Sequence, residues 1–177
     1  MTTENTSSLV TPSAIGMRYG LLTGLVSIIV SFAIYALQLD QNSAAKFLTT
    51  VVLVVGIILA QRNYKQLNAG FMSYGDGMTI GALLSLVVGV LSALFTYVYT
   101  HFIDADVMTR AMEKARTDME ARGNMSDAQI DQAMAISAKF TSGPILLIIV
   151  LLGSLIFGVI ISLITSAIIK NPKPEFE

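Results

Sequence analysis

Long stretches without a charged residue are the feature that most constrains how this chain folds. They cover residues 19–39, 47–61, 77–103 and 140–169, and they contain 21, 15, 27 and 30 residues, respectively. An α-helix needs about 20 apolar residues to cross the hydrocarbon core of a bilayer. The second stretch reaches that length only if residues 43–45 extend it and Lys46 and Arg62 turn their charged ends towards the headgroups. It is therefore either a full span or a re-entrant or interfacial segment.

The composition supports a membrane protein. Only 13% of the residues are charged and 54% are hydrophobic, whereas about a quarter of the residues in a soluble domain are charged. We predict an all-α fold, namely an integral membrane four-helix bundle in a single domain of residues 1–177. The predicted spans cover about residues 16–39, 44–62, 77–103 and 142–169, and residues 1–13 and 171–177 are predicted to be flexible tails.

The distribution of Lys and Arg predicts the orientation in the membrane. Five of these residues flank the spans on the side that carries both termini, whereas the short loop on the other side has only Lys46. The long segment of residues 104–140 has as many basic residues but also seven acidic ones. By the positive-inside rule both termini are predicted to be cytoplasmic. A net charge of −1 gives no electrostatic support for a nucleic-acid partner.

Small residues recur at intervals of four in three of the spans. Residues four apart form one ridge on a helix, and small side chains allow two helix backbones to approach closely in lipid. Three such ridges indicate a packed bundle, and a ridge left over on its surface would pair two copies of the chain. The ridge residues are Gly16, Gly20 and Gly24; Gly77, Gly81, Ser85, Gly89 and Ala93; and Ser154, Gly158, Ser162 and Ser166.

The segment GFMSYGDGMTIG at residues 70–81 is close to a dinucleotide-binding fingerprint. That fingerprint requires a preceding strand, a following amphipathic helix and a different glycine spacing, so nucleotide binding is not expected. Asp76 is instead predicted to be an N-cap that accepts hydrogen bonds from the amides of Met78 or Thr79. The alternative is that Asp76 faces a polar cavity and binds a cation or solute.

The spans lack the groups that membrane enzymes and ion-coupled carriers use. No Asp, Glu, Lys or Arg lies well inside a span, the chain has no cysteine, and its one histidine, His101, is at a span end. We therefore expect no enzymatic activity, no cofactor and no metal site. Hydroxyl groups are present and offer a lining for a narrow path. They belong to Thr23, Ser27, Thr79, Ser85, Ser92 and Thr96.

Residues 104–140 are predicted to form an extramembrane helical hairpin between the third and fourth spans. Gly123 is expected to end its first helix, and Ser126 with Gln129 forms a capping box for the second. Methionines recur along the hairpin at helical spacing. They either pack the two helices together or provide an adaptable docking surface. These methionines are Met108, Met112, Met119 and Met134.

Several segments together resemble a bacterial membrane protein family known as domain of unknown function 4199. They are YGL at residues 19–21, the segment of residues 70–81, LFTYVYTHFID at residues 94–104, KARTDMEARG and MSDAQIDQAM in the hairpin, and GSLIFGVIISLI at residues 153–164. The resemblance implies four transmembrane helices in a bacterial inner (cytoplasmic) membrane. It implies no activity, substrate or catalytic residue.

These observations favour a small multi-pass membrane protein that is a non-enzymatic helix-packing, assembly or regulatory module. Its expected partners are the lipid bilayer and either a second copy of the chain or another membrane protein. The alternative is a channel or small-solute transporter that acts as an oligomer.

Overall fold

The computed structural model of the chain describes residues 10–141 and 143–174. Residues 1–9 and 175–177, which belong to the two expected tails, lie outside this part. The described residues form six α-helices and a π-helical turn at Tyr99–Ile103. The helices are α1 (Pro12–Ala36), α2 (Ser43–Leu67), α3 (Tyr74–Val98), α4 (Asp106–Arg122), α5 (Asp127–Phe140) and α6 (Gly143–Ile169).

Four of the described helices are long and apolar enough to cross a membrane: α1, α2, α3 with its π-helical turn, and α6. This confirms the all-α fold with four candidate spans and with α4 and α5 between the third and fourth. The second span is longer than its uncharged stretch, because α2 has 25 residues and is therefore about 37 Å long. Its length removes the reason to treat it as a re-entrant segment.

The ends of the spans differ in detail from the expected boundaries. α1 begins at Pro12, where the Thr11 hydroxyl accepts a hydrogen bond from the amide of Ala14. At the other end of the chain, Asn171 forms an antiparallel bridge with Met72 in the α2–α3 connection. Residues 12, 13 and 171 are therefore part of the ordered bundle and not of the tails to which the sequence pattern assigned them.

The assignment of Asp76 as the N-cap of the third span was wrong, because α3 begins three residues earlier. Ser73 is the N-cap, and its hydroxyl accepts a hydrogen bond from the Asp76 amide at 3.1 Å. The Asp76 carboxylate accepts one from the Ser73 amide at 2.9 Å. The two residues form a capping box, in which Asp76 also lies near the positive end of the helix dipole.

The bundle has two ends that differ in what they carry. We call the end that contains the start of α1, the α2–α3 connection and the end of α6 the terminal end. The arm end carries the α1–α2 connection and the hairpin of α4 and α5. α3 runs parallel to α1 and antiparallel to α6 and packs mainly between them, while α2 lies against both α1 and α6.

The closest helix contact is between α3 and α6, and it joins small residues one to one. At each of four successive levels a glycine on one helix faces a serine on the other, so that a Cβ on the glycine would meet the serine side chain. Because lipid does not drive helices together by the hydrophobic effect, such close backbone packing supplies much of the association. The pairs are Gly77 with Ser166, Gly81 with Ser162, Ser85 with Gly158 and Gly89 with Ser154.

The ridge on α1 packs on a different face of α3. A Cβ on Gly16 would lie 2.9 Å from the Ile80 carbonyl oxygen, and one on Gly20 would lie 2.8 Å from the Val87 Cβ. Gly24 faces Leu91 in the same way. All three ridges therefore face a helix of their own chain.

The hairpin has the predicted capping. α4 ends at Gly123, which is left-handed with φ 64°, a conformation that glycine adopts without steric cost. α5 begins after Ser126, and the Ser126–Gln129 capping box is confirmed. The methionine stripe is half-buried on the hairpin, where Met112 lies beside Thr141.

We expect Gly81→Val to destabilise the bundle, because the new side chain would occupy the position of Ser162. Overpacking of this kind typically costs about 1–3 kcal/mol. Gly153→Val is the matched control, since no atom lies within 4 Å of a Cβ at Gly153. Thermal unfolding in mild detergent measures both variants, and equal losses of stability would contradict the packing described here.

Candidate functional site

Aromatic rings join α1 and α3 at the arm end, whereas glycines join these helices nearer the terminal end. Tyr35 of α1 stacks on Phe95 with a centroid distance of 6.1 Å, and it packs against Tyr99 at 4.8 Å. The glycines of α1 that allow close approach all lie nearer the other end. The contacts of α1 with α3 thus change from glycines to rings towards the arm end, and a cavity lies at that end.

This cavity has a volume of about 320 Å³ and lies between α1, α2, α3 and α6. Much of its lining is polar, which is unusual in a chain with so few charged residues. Seven hydroxyl-bearing residues, one carboxylate and one ammonium group contribute to it. These polar residues are Ser27, Ser31, Tyr35, Asp40, Lys46, Thr49, Thr50, Ser92 and Ser154, and the apolar ones are Ile34, Leu53, Val88 and Phe157.

Asp40 is the buried acid of the cavity. It lies in the α1–α2 connection, yet its side chain is only 3% exposed. One carboxylate oxygen, Oδ2, accepts a hydrogen bond from the Gln41 side chain at 2.7 Å. The other, Oδ1, has no hydrogen-bond partner within the described part of the chain. A buried carboxylate oxygen without a donor is costly, so this oxygen is the most evident position for a ligand group.

Arg110 of α4 connects the hairpin to this acid. Its Nη2 lies 3.6 Å from Asp40 Oδ1 and 2.8 Å from Asp104 Oδ2. The hydrogen bond from Arg110 lowers the pKa of the Asp104 carboxyl below its usual range, and the same bond raises the pKa of Arg110. Both groups are therefore charged at neutral pH. Asp104 holds Arg110 closely, and Arg110 reaches Asp40 only by a longer ion pair.

In the terminal half of the bundle, on the far side of the cavity from the hairpin, buried hydrogen bonds join the helices. Gln61 of α2 is fully buried, and its amide donates to the Gly77 carbonyl oxygen at 3.1 Å and to Ser166 Oγ at 3.0 Å. This amide joins α2, α3 and α6 at one point. Lys65, one turn further on, donates to the Ile169 carbonyl oxygen at 2.9 Å. α2 and α6 are thus tied together at the terminal end and separated by the cavity at the arm end.

The structure brings only some of the sequence-predicted residues to the cavity. Ser154 lines it and also donates to the Ser85 carbonyl oxygen. The other ridge residues are engaged in helix packing, and Ala93 is buried further along α3. Asp76 is at the opposite end of the bundle. Of the six hydroxyl residues considered for a path, Ser27 and Ser92 line the cavity.

Sequence reasoning missed Asp40 and Gln61, the two polar residues around which the site is organised. Asp40 directly follows the first uncharged stretch and is the only acid in the short α1–α2 connection, which is the one signal that could have singled it out. Gln61 is the last residue of the second stretch. A glutamine at the end of a span is indistinguishable in sequence from one that faces the headgroups.

A family model described as "Protein of unknown function (DUF4199)" matches residues 18–171. The chain belongs to this family. The match covers all four candidate spans almost completely, together with Asp40, Gln61 and Arg110. No curated protein and no solved structure matches the chain. The chain is thus a multi-pass helical membrane protein of a family of unknown function.

We expect Arg110→Gln to loosen the hairpin, because it removes the ion pair to Asp40 in the α1–α2 connection. The chain has no cysteine, so spin labels can be placed on Leu37→Cys and on Asn124→Cys at the hairpin tip. The label-to-label distance distribution should broaden in Arg110→Gln. Lys114→Gln, which loses only an exposed pair with Asp118 on the same helix, should leave the distribution unchanged. Equal broadening in both variants would contradict a specific role of Arg110.

Proposed function

We propose that this chain is a non-enzymatic membrane protein that binds a small polar solute in the cavity at the arm end. The observation that carries the proposal is Asp40, a residue of the cavity lining whose buried Oδ1 has no hydrogen-bond donor among the described residues. The preferred solute carries an ammonium group, which would meet this oxygen, together with hydroxyl or carboxylate groups for the remaining lining.

The shape and chemistry of the cavity support a small ligand. Its volume of about 320 Å³ is near the lower end of the range for small-molecule sites, which is about 300–1,000 Å³. Lys46 offers a positive charge on the α2 side of the cavity, and Asp40 offers a negative one from the α1–α2 connection. Hydroxyls can donate and accept hydrogen bonds, so the lining suits a solute with several polar groups.

Two other functions fit the structure less well. A channel needs a continuous path, but the Gln61 hydrogen bonds and the glycine–serine contacts occupy the terminal half of the bundle. An assembly module built on the ridges needs a free ridge, and each of the three faces a neighbouring helix of the same chain. A regulatory role remains compatible with solute binding, because Arg110 links the hairpin to the acid in the cavity.

We further propose that the protein lies in the bacterial inner membrane with the terminal end in the cytoplasm. Arg18, Arg62 and Lys65 flank the spans at that end, as do Lys170 and Lys173. The positive-inside rule supports this orientation. The cavity would then open towards the exterior, beneath the hairpin.

Thermal unfolding in mild detergent tests solute binding with ethanolamine, glycine and glycerol as probes. We expect ethanolamine or glycine to raise the melting temperature of the parent protein, because a ligand that binds only the folded state stabilises it. Glycerol at the same concentration should have a smaller effect, since it lacks an ammonium group. The stabilisation should disappear in Asp40→Asn, which keeps the shape of the side chain and removes its charge.

Two variants serve as controls for this experiment. Asp118→Asn removes an acid of the hairpin that pairs with the exposed Lys114 and lies outside the cavity lining, so it should retain the stabilisation. Arg110→Gln removes the competing cation from Asp40 and should strengthen binding. Stabilisation that persists in Asp40→Asn, or that no probe produces in the parent protein, would refute the proposal.

Single-cysteine labelling tests the orientation. In intact cells a membrane-impermeant maleimide should label Asn124→Cys in the hairpin, because that residue is exposed on the proposed outer side. Gln66→Cys, which is exposed at the terminal end, should react only after the membrane is opened. The reverse pattern would show that the termini are outside.

A further inference from the structure

A second cavity lies at the terminal end, between the ends of α2 and α6. It has a volume of about 520 Å³ and is lined by Arg62, Lys65, Gln66, Gly70, Ile168 and Ile169. It is at the opposite end of the bundle from the Asp40 cavity, and nothing in the proposed solute binding uses it. Its lining combines cationic and amide donors from α2 with two apolar side chains from α6, the exposed Ile168 and the half-buried Ile169.

Three donors of α2 share one face of the helix here. Arg62, Lys65 and Gln66 are related by three and four positions, and residues at that spacing are neighbours on a helix surface. Arg62 and Gln66 are exposed. Lys65 turns towards α6, where it donates to the Ile169 carbonyl oxygen. The two cationic groups therefore lie on the side of α2 that lines the cavity.

The electrostatics of this end favour an anion. The described part of the terminal end has five Lys and Arg residues, and Asp76 is its only acid, already engaged in the capping box with Ser73. Lys173 lies over the Phe71 ring at 5.8 Å. Arg62 has neither an ion pair nor a side-chain hydrogen bond with any other described residue. Its guanidinium can therefore bind an anion in a bidentate manner.

The apolar part of the lining identifies the source of that anion. Ile168 is 77% exposed beside the basic residues, at the end of a helix that is long and apolar enough to cross a membrane. A soluble anion would gain nothing from this side chain, whereas a phospholipid places its acyl chain along it and its phosphate at the level of the basic side chains. Basic pockets between transmembrane helices bind anionic headgroups in this way.

We propose that this cavity, defined by Arg62, Lys65 and Gln66 of α2 and Ile168 of α6, is a binding site for the headgroup of an anionic phospholipid. Arg62 binds the headgroup phosphate, Lys65 adds positive charge, and Gln66 donates a hydrogen bond. The bound lipid bridges α2 and α6 at the end where Gln61 and Lys65 already connect them.

Native mass spectrometry of the full chain in detergent, with phosphatidylglycerol titrated in, measures this binding. Arg62→Gln should weaken the binding of phosphatidylglycerol about fivefold, because the variant loses the direct contact between the guanidinium and the headgroup phosphate, and one basic residue contributes about that factor. Arg18→Gln is the matched control. It removes the same charge from an exposed position at the same end, but Arg18 does not line the cavity, so binding should be unchanged.

Phosphatidylcholine and inorganic phosphate distinguish a lipid site from other outcomes. Phosphatidylcholine should bind more weakly than phosphatidylglycerol, and inorganic phosphate should not displace the lipid. Equal weakening by Arg62→Gln and Arg18→Gln would overturn the proposal in favour of a diffuse electrostatic attraction. Displacement by inorganic phosphate would overturn it in favour of a soluble anion. Circular dichroism verifies that both variants keep the helical content of the parent. If Arg62→Gln unfolds, Arg62→Lys, which keeps the charge but loses the bidentate geometry, should weaken the binding of phosphatidylglycerol, whereas Arg18→Lys should not.

Discussion

The close contact between the backbones of α3 and α6 is the interaction on which the rest of the structure depends. At every level of that contact a glycine on one helix receives a serine from the other, with Gly81 and Ser162 at its centre. The pairing fixes the register of two antiparallel helices that lipid alone would not hold together. Since α1 packs on another face of α3, through Gly16 and Gly20, α3 becomes the helix around which the bundle forms.

The same contact helps to explain why the polar cavity with Asp40 lies at the arm end. Small residues bring the helices together in the terminal half, and Gln61 adds hydrogen bonds between α2, α3 and α6 there. At the arm end, the rings of Tyr35 and Tyr99 take the place of the glycines in the contact of α1. The resulting cavity collects hydroxyl groups from the helices and the carboxylate of Asp40 from the α1–α2 connection. Arg110 pairs with that carboxylate and so connects the hairpin to the cavity.

Local features of the fold could be predicted from the sequence, because they depend on neighbouring residues. The uncharged stretches predict the spans, and Ser126 with Gln129 predicts the start of α5, which is confirmed. The start of α3 was misplaced because Ser73 and Asp76 are both plausible caps, and the choice depends on where the helix leaves the α2–α3 connection.

The contacts between helices could not be predicted from the sequence. A ridge shows which face of a helix packs but not which helix it meets, and the burial of Asp40 depends on a hairpin that lies 70 residues further along the chain.

Disulfide trapping of α3 against α6 tests the account most directly. A Cβ on Gly89 would lie 3.1 Å from the Ser154 Cβ, and a small outward shift brings this pair to the separation of about 3.5–4.5 Å that a disulfide requires. The cysteine pair Gly89→Cys and Ser154→Cys should oxidise within one chain in native membranes and remain a monomer on a non-reducing gel. The pair Gly89→Cys and Gly153→Cys should not. A cross-linked dimer of the first pair, or equal oxidation of both pairs, would contradict a bundle closed within a single chain.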